Sequence, residues 1–295
     1  MEALLGSVPV GDGHPVRIMA VINASPESFY AGSVARSPEE AVRRAIEWSK
    51  YADFFDVGGM STAPYKETWV PAEVELERVV PVIKALAEAA EAPISVDTFR
   101  PKVAEAALKA GASIINDVTG LKLYPELCRI AADYGASLVL MARERSTRPG
   151  VDPVQRVLDA LRESLEMAEN CGVDPRRIVV DPGIGFPLLP PRDEPHLVKG
   201  DDRHGDPAWP FWRWDLRVLG GLRELRALGK PILVGVSRKT FIRRLLDLND
   251  PEAVVPGSIA AEAVAVLLGA HAVRTHNPPE TWQAVKIAES IRPYV

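Results

Sequence analysis

Seven short apolar runs in this chain each stop at polar or charged residues: Asn23, Asp56, Asp97, Asn116 with Asp117, Asp181, Ser237 leading to Arg238 and Lys239, and Arg274 with His276. Carboxylates and a carboxamide suit the edge of a nitrogen heterocycle that carries amino and amide groups, because Asp accepts from N–H donors and Asn both accepts and donates. Arg274, His276, Lys239 and Arg238 add positive charge from the C-terminal end of the chain, a set that suits phosphate or diphosphate. One Asp in such a place is more often a helix cap or turn former. Seven such endings in one pattern point to a shared site. There is no nucleophile elbow with a Ser-His-Asp order and no HExxH, so hydrolase and zinc-protease readings find no support.

Those endings converge only if the runs are parallel strands. Strands are expected at Val16–Asn23, Phe54–Gly58, Ile94–Asp97, Ser113–Asp117, Ser137–Met141, Arg177–Asp181, Pro231–Ser237 and Ala272–His276. Helical stretches are expected at Pro38–Ala52, Pro71–Ala90, Lys102–Ala110, Pro125–Tyr134, Pro153–Cys171, Trp214–Leu228, Ser258–Leu268 and Pro278–Ile291. Prolines stand near several helix starts, and Gly111, Gly135, Gly172, Gly229 and Gly269 follow helix ends. Strict alternation of eight strands and eight helices predicts an α/β fold, a (β/α)8 TIM barrel with its site at the C-terminal ends of the strands. An open doubly wound sheet satisfies the same count. Gly58, Gly59, Gly183 and Gly185 follow strand-terminal Asp residues, where turns are tight or a ligand approaches closely, but neither pair forms GxGxxG.

The chain reads as one domain over residues 1–295, with 1–15 as a lead-in and Pro187–Trp214, dense in proline and tryptophan, as a loop inserted after the sixth strand and a candidate lid. A length of 295 residues with 47% hydrophobic side chains suits one barrel. A net charge of −5 without a basic block argues against nucleic acid as a partner. No run is apolar and long enough for a membrane span, and the N-terminus lacks the pattern of a signal peptide, so a cytoplasmic protein is expected. Cys128 and Cys171, without CxxC spacing, are expected to be buried packing residues rather than a disulfide or zinc pair.

"IMAVINASPESFYAGS", "FDVGGMST", "ISVDTFR", "ASIINDVTG", "LVLMA", "IVVDPGIGF", "PILVGVSRKTFI" and "AVRTHN" follow one another between Arg17 and Asn277. In that order they resemble the motifs of the dihydropteroate synthases and the wider pterin-binding family, an archaeal-type member included. The resemblance implies a transferase that joins a dihydropterin-methyl diphosphate to an arylamine and releases diphosphate, in folate or methanopterin-type biosynthesis. It places Asn23 on a magnesium ion that carries the diphosphate, and Arg274 and His276 on the diphosphate itself. Asp97, Asn116, Asp181 and Lys239 would hold the pterin ring, Met141 and Phe186 would wall it, Asp56 would lie near the same mouth, and Ser237 would sit toward the amine. Asp97, Lys239 and Arg274 carry the implied catalysis: departure of diphosphate leaves a carbocation-like methylene that a carboxylate stabilises, while cations stabilise the leaving group. A homodimer is expected.

The chain departs from the family pattern on the amine side. Met60 and Ala63 replace a Glu and an Arg in the second motif, and Pro187 replaces the Lys that usually follows "GIGF". Those changes lead to the expectation of an aminobenzene carrying a ribose phosphate, met by Arg36, Lys66 or Arg238, with p-aminobenzoate as a poorer substrate. The alternative from another class is a pterin-binding module that presents a methylated folate-like cofactor to a corrinoid partner, which has no need of Arg274, His276 or the "SRK" motif.

Overall fold

The structure, a computed structural model, describes residues 1–25, 34–60, 70–146, 148–186, 208–248, 250 and 252–294. Eight parallel strands form one sheet: β3 (Arg17–Asn23), β4 (Phe54–Gly58), β5 (Ile94–Asp97), β6 (Ile114–Asp117), β7 (Ser137–Met141), β8 (Ile178–Asp181), β9 (Leu233–Val234) and β10 (Ala272–Thr275). The hydrogen-bonded order runs β8-β7-β6-β5-β4-β3-β10-β9. The ends of that row meet through a parallel bridge between Val180 and Ile232, with the Val180 N–H donating to the Pro231 carbonyl at 3.0 Å. This closure settles the barrel over the open sheet.

Helices α1 (Pro38–Trp48), α2 (Ala72–Ala89), α3 (Pro101–Lys109), α4 (Leu127–Asp133), α5 (Pro153–Asn170), α6 (Phe211–Gly220), α7 (Thr240–Leu246), α8 (Val255–Leu267) and α9 (Pro278–Ile291) surround the sheet. Local signals start several of them: Ser37 accepts from the Glu40 N–H ahead of α1, Asp152 accepts from the Val154 N–H ahead of α5, and prolines open α1, α3, α5, α8 and α9. Outward strand residues such as Ala20, Ile22, Phe55, Val57, Val96, Ile115, Leu138 and Val180 pack beneath the helices. Each large side chain so buried contributes roughly 1.5–3 kcal/mol.

Three features differ from the sequence expectation. The lead-in is a hairpin, β1 (Glu2–Leu5) with β2 (Val8–Gly11), whose Ala3, Leu5 and Val10 seal the N-terminal end of the barrel. The helix expected at Trp214–Leu228 is α6 followed by a 3-10 segment from Leu222 to Leu228, and α7 is an additional helix after "SRK". Cys128 at the start of α4 and Cys171 just after α5 are disulfide-bonded, with Cα atoms 5.9 Å apart, which corrects their reading as unpaired residues. Folding brings together two positions 43 residues apart that no local spacing connects. Among the described residues no helix is long and apolar enough to cross a membrane.

Candidate functional site

Alternation along the strands decides which side chains enter the barrel. Met19, Phe54, Ile114, Val139, Val179, Leu233 and Ala272 form one apolar cluster with the hairpin, so they point inward near the sealed end. Two residues further along the same strands stand Val21, Asp56, Asn116, Met141, Asp181, Gly235 and Arg274. On β5 the outward Ile94 and Val96 leave Ser95 and Asp97 inward. The inward face therefore changes from hydrocarbon to carboxylate, carboxamide and guanidinium within one pleat repeat.

Arg274 joins these groups. Its Nε donates to Asp56 Oδ2 at 2.7 Å and its terminal nitrogen donates to Asp97 Oδ2 at 2.8 Å. Asn116 Nδ2 donates to the same Asp56 Oδ2 at 3.1 Å. Asp56 is wholly buried, whereas Asp97 and Arg274 retain part of their surface. Asn23 ends β3, and its Oδ1 faces Gly58, where an added Cβ would lie 3.7 Å from it and 3.7 Å from the Asp97 side chain. Glycine at 58 thus keeps open the gap between Asn23 and Asp97.

Asp181 does two tasks. Its Oδ1 accepts from the Gly183 N–H at 2.7 Å, holding the turn after β8. Gly183 and Gly185 have φ of +74° and +80°, and an added Cβ on Gly185 would come within 2.8 Å of the Lys239 side chain. Asp215 in the middle of α6 accepts from the Gly185 N–H at 2.8 Å and completes the turn, a contribution the sequence did not signal. The turn delivers Phe186, and Lys239 Nζ sits 3.9 Å from its ring centroid. Phe186, Met60 and Tyr124 pack against an apolar cluster of Phe99, Val118, Leu123 and Met141. Met60 thereby has a packing role.

Burial pushes the Asp97 carboxyl up to about 7; Arg274 opposes the shift, while Asp56 and Glu75 add to it. Burial likewise raises Asp181 to about 6 against the pull of the Gly183 N–H, Lys239 and Arg274. His276 is held well below its ordinary value by burial and by Arg274, Arg238 and Lys239, so its imidazole is neutral at pH 7. Its Nδ1 lies 3.1 Å from Ser237 Oγ, which also accepts from the His276 N–H at 3.3 Å. Ser237 Oγ can donate to Nδ1 or accept from it, according to which ring nitrogen of the neutral imidazole carries the proton.

Asn23, Asp56, Asp97, Asn116, Met141, Asp181, Phe186, Ser237, Lys239, Arg274 and His276 therefore gather at the C-terminal mouth. Asp117 points outward, where it accepts from Thr119 N–H and Oγ1 at 2.7 Å each and from the Leu121 N–H at 2.6 Å. Arg238 also departs from its expected place in the mouth. It is buried, with φ +56°, and its guanidinium is committed to Asn277 and Glu252. The Arg36 backbone N–H donates to Glu40 ahead of α1. Ala63, Lys66 and residues 187–207 of the proposed lid at 187–214 lie outside the described residues. One mouth cation went unread in the sequence: Arg143, two residues beyond the end of β7, stacks with its Cζ 5.7 Å from the Phe186 centroid. The same two-residue alternation would have found it.

A family model described as pterin binding enzyme matches residues 19–200 and 213–276. A dihydropteroate synthase of Clostridium beijerinckii is 33% identical over 289 residues, spanning 97% of this chain and 98% of that protein. Among solved structures, a dihydropteroate synthase of Coxiella burnetii in complex with pteroic acid superposes with a TM-score of 0.82 at 31% identity, covering 100% of this chain and 99% of the other. A Xanthomonas albilineans dihydropteroate synthase with 4-aminobenzoic acid gives 0.82 at 34% identity, covering 99% and 98%.

Proposed function

The chain belongs to the pterin binding enzymes, and from that membership and the geometry of its mouth we propose that it condenses a dihydropterin-methyl diphosphate with p-aminobenzoate, forming dihydropteroate and releasing diphosphate in folate synthesis. It is a transferase. The observation that carries the proposed reaction is the Arg274 guanidinium bonded to Asp56 and Asp97 beside Asn116, with Asp181 close enough to act on it electrostatically and His276 two residues further along the chain.

Asp97, Asn116 and Asp181 offer acceptors and a donor to the amino and amide edge of a pterin, and Met141 and Phe186 offer apolar walls. An ionised carboxylate is the better acceptor, so pterin binding draws the raised Asp97 and Asp181 toward ionisation. The diphosphate would meet Arg274 and neutral His276, whose ring N–H can donate without adding charge next to an already cationic rim. Asn23 supplies a hard oxygen beside that position, and the donor set suits magnesium, which takes few protein oxygens and fills its shell from phosphate and water. Magnesium bound there would neutralise charge on the leaving group.

In the reaction the arylamine lone pair forms the C–N bond to the pterin methylene while the C–O bond breaks. Diphosphate leaves with the bonding pair, and the ammonium then loses a proton to solvent. Ionised Asp97 stabilises positive charge developing on the methylene, and Arg274 stabilises negative charge on the departing oxygen. A neutral arylamine needs no strong base, so none of the mouth's residues is asked to act as one.

The test incubates the protein with dihydropterin-methyl diphosphate, magnesium and either p-aminobenzoate or an aminobenzene ribose phosphate, and measures diphosphate and the pterin product. Product with p-aminobenzoate supports the proposal. Binding of a methylated folate-like cofactor without turnover of either amine would favour the corrinoid-linked module instead.

A further inference from the structure

Helix α8 carries two polar residues on its buried face, Ser258 and Glu262, one turn apart. Ser258 Oγ accepts from the Arg238 N–H at 2.8 Å and donates to the Val254 carbonyl at 2.9 Å, which fastens the turn that carries Ser237 and Lys239. Glu262 meets β10 and α9. Its Oε2 accepts from Thr281 Oγ1 at 2.7 Å, and the same hydroxyl lies 2.8 Å from Thr275 Oγ1. Thr275 Oγ1 in turn accepts from the Asn277 N–H at 3.1 Å. Arg274 directly precedes Thr275, and His276 lies between Thr275 and Asn277.

The rest of this interface is hydrocarbon: Val266 of α8, Val273 of β10, and Val285 and Ala288 of α9 pack together with Val16 and Ile18. Glu262 is wholly buried beside them, and its Oε1 has no hydrogen-bond partner among the described residues. Burial pushes its carboxyl up to about 7; Thr281 and Thr275 oppose the shift, and Glu280 adds to it. A carboxyl in such a place costs stability relative to an apolar side chain of similar size, so packing does not account for it. An ionised carboxylate only accepts. Thr281 then gives its single hydroxyl proton to Glu262 and accepts from Thr275, whose oxygen takes the Asn277 N–H. The bonds run one way, from the turn into the carboxylate.

We propose that Glu262 is a positioning residue: through Thr281 and Thr275 it fixes the turn between β10 and α9, so that Arg274 and His276 are aimed at the diphosphate. The proposal rests on the transferase reading given above. Arg274 and Thr275 alternate across β10, guanidinium inward and hydroxyl outward, so an anchor on the outer face sets the rotation of the strand at its inner face.

The experiment titrates dihydropterin-methyl diphosphate and the corresponding dihydropterin alcohol, each with magnesium and without arylamine, into wild type, Glu262→Leu, Thr281→Val and Thr281→Ser. Calorimetry is run at pH 8, above the Glu262 value, where the carboxylate only accepts. The readout is the ratio of the two affinities, in which damage to the pterin pocket or to overall stability cancels. Glu262→Leu is expected to lower that ratio roughly tenfold, the worth of one charge-assisted hydrogen bond to the diphosphate. Thr281→Val removes the linking hydroxyl at nearly the same shape and is expected to lower it about threefold or more. That variant decides the matter if Glu262→Leu does not fold. Thr281→Ser keeps the hydroxyl, so its ratio should stay within about twofold of the wild type. An unchanged ratio in the folded Leu and Val variants, whatever stability they lose, overturns the role of Glu262 alone. A wild-type ratio near one would mean that Arg274 and His276 do not hold diphosphate, which overturns that part of the transferase reading and this inference with it.

Discussion

The two ends of the barrel are built from the same strands and the same inward direction, yet they hold opposite chemistry. At the N-terminal end, Met19, Phe54, Ile114, Val139, Val179, Leu233 and Ala272 meet the hairpin residues Ala3, Leu5 and Val10. One pleat repeat later the same strands present Asp56, Asn116, Asp181 and Arg274. The sealed end stores stability in hydrophobic contact. The open end spends part of it to keep charged groups where a ligand can use them. Function in this fold is therefore read from the position of a residue along its strand as much as from its type.

The sharpest way to break the comparison is to exchange the effects of the two ends. Arg274→Ala should reduce kcat/KM by about 10²–10³, because one preorganised donor to the leaving group is lost. It should also leave Asp56 and Asp97 without their shared cation. A variant that retains its full rate while folded would remove Arg274 from the reaction. Leu5→Ala, at the sealed end, should cost about 2–5 kcal/mol in chemical denaturation by opening a cavity under the strands. Its kcat and KM below the unfolding transition should match those of the wild type; a rate loss like that of Arg274→Ala would mean that the ends are not separable.

A smaller effect separates stability from binding at the open end itself. Asp97 and Asp181 carry folded values of about 7 and about 6, above those of an unfolded chain. Their contribution to stability is therefore fully present at low pH and is lost as pH rises through 6 to 7. Pterin affinity should run the other way, strengthening over that window by up to about tenfold per pH unit, since ring N–H donors favour ionised acceptors. Denaturation and pterin titrations at pH 5.5, 6.5 and 7.5 check both signs. Affinity that falls with pH would contradict ionised acceptors in the pocket.

Much of this contrast was legible in the sequence. Strands β4, β5 and β7 match their expected bounds because apolar runs between turn formers have no competing helical period. Asn23, Asp97, Asn116, Asp181 and Arg274 with His276 were legible because they close such runs, whereas Met141 and Phe186 were named only through the family resemblance. The hairpin was not: four-residue strands around Gly6, one containing Pro9, give too short a pattern, and their pairing pays only once Leu5 and Val10 meet the barrel. Asp117 and Arg238 were grouped with the mouth by adjacency alone, whereas alternation turns each outward, toward its own loop or toward Asn277 and Glu252. Arg143 was missed for the converse reason, since it lies past the strand but keeps the inward step. The Cys128–Cys171 pairing depends on how α4 and α5 sit against the sheet, which local sequence does not encode.

The central claim is that the inward groups at the open end recognise a pterin, and calorimetric titration of a dihydropterin without arylamine into wild type and Asp181→Asn tests it most directly. The Asn side chain can still accept from the Gly183 N–H, so the turn is kept while the charge is removed. The account predicts wild-type binding and a loss of roughly 1.5–3 kcal/mol in the variant, the usual worth of a hydrogen bond to a charged group. Equal affinity in two folded proteins would contradict it.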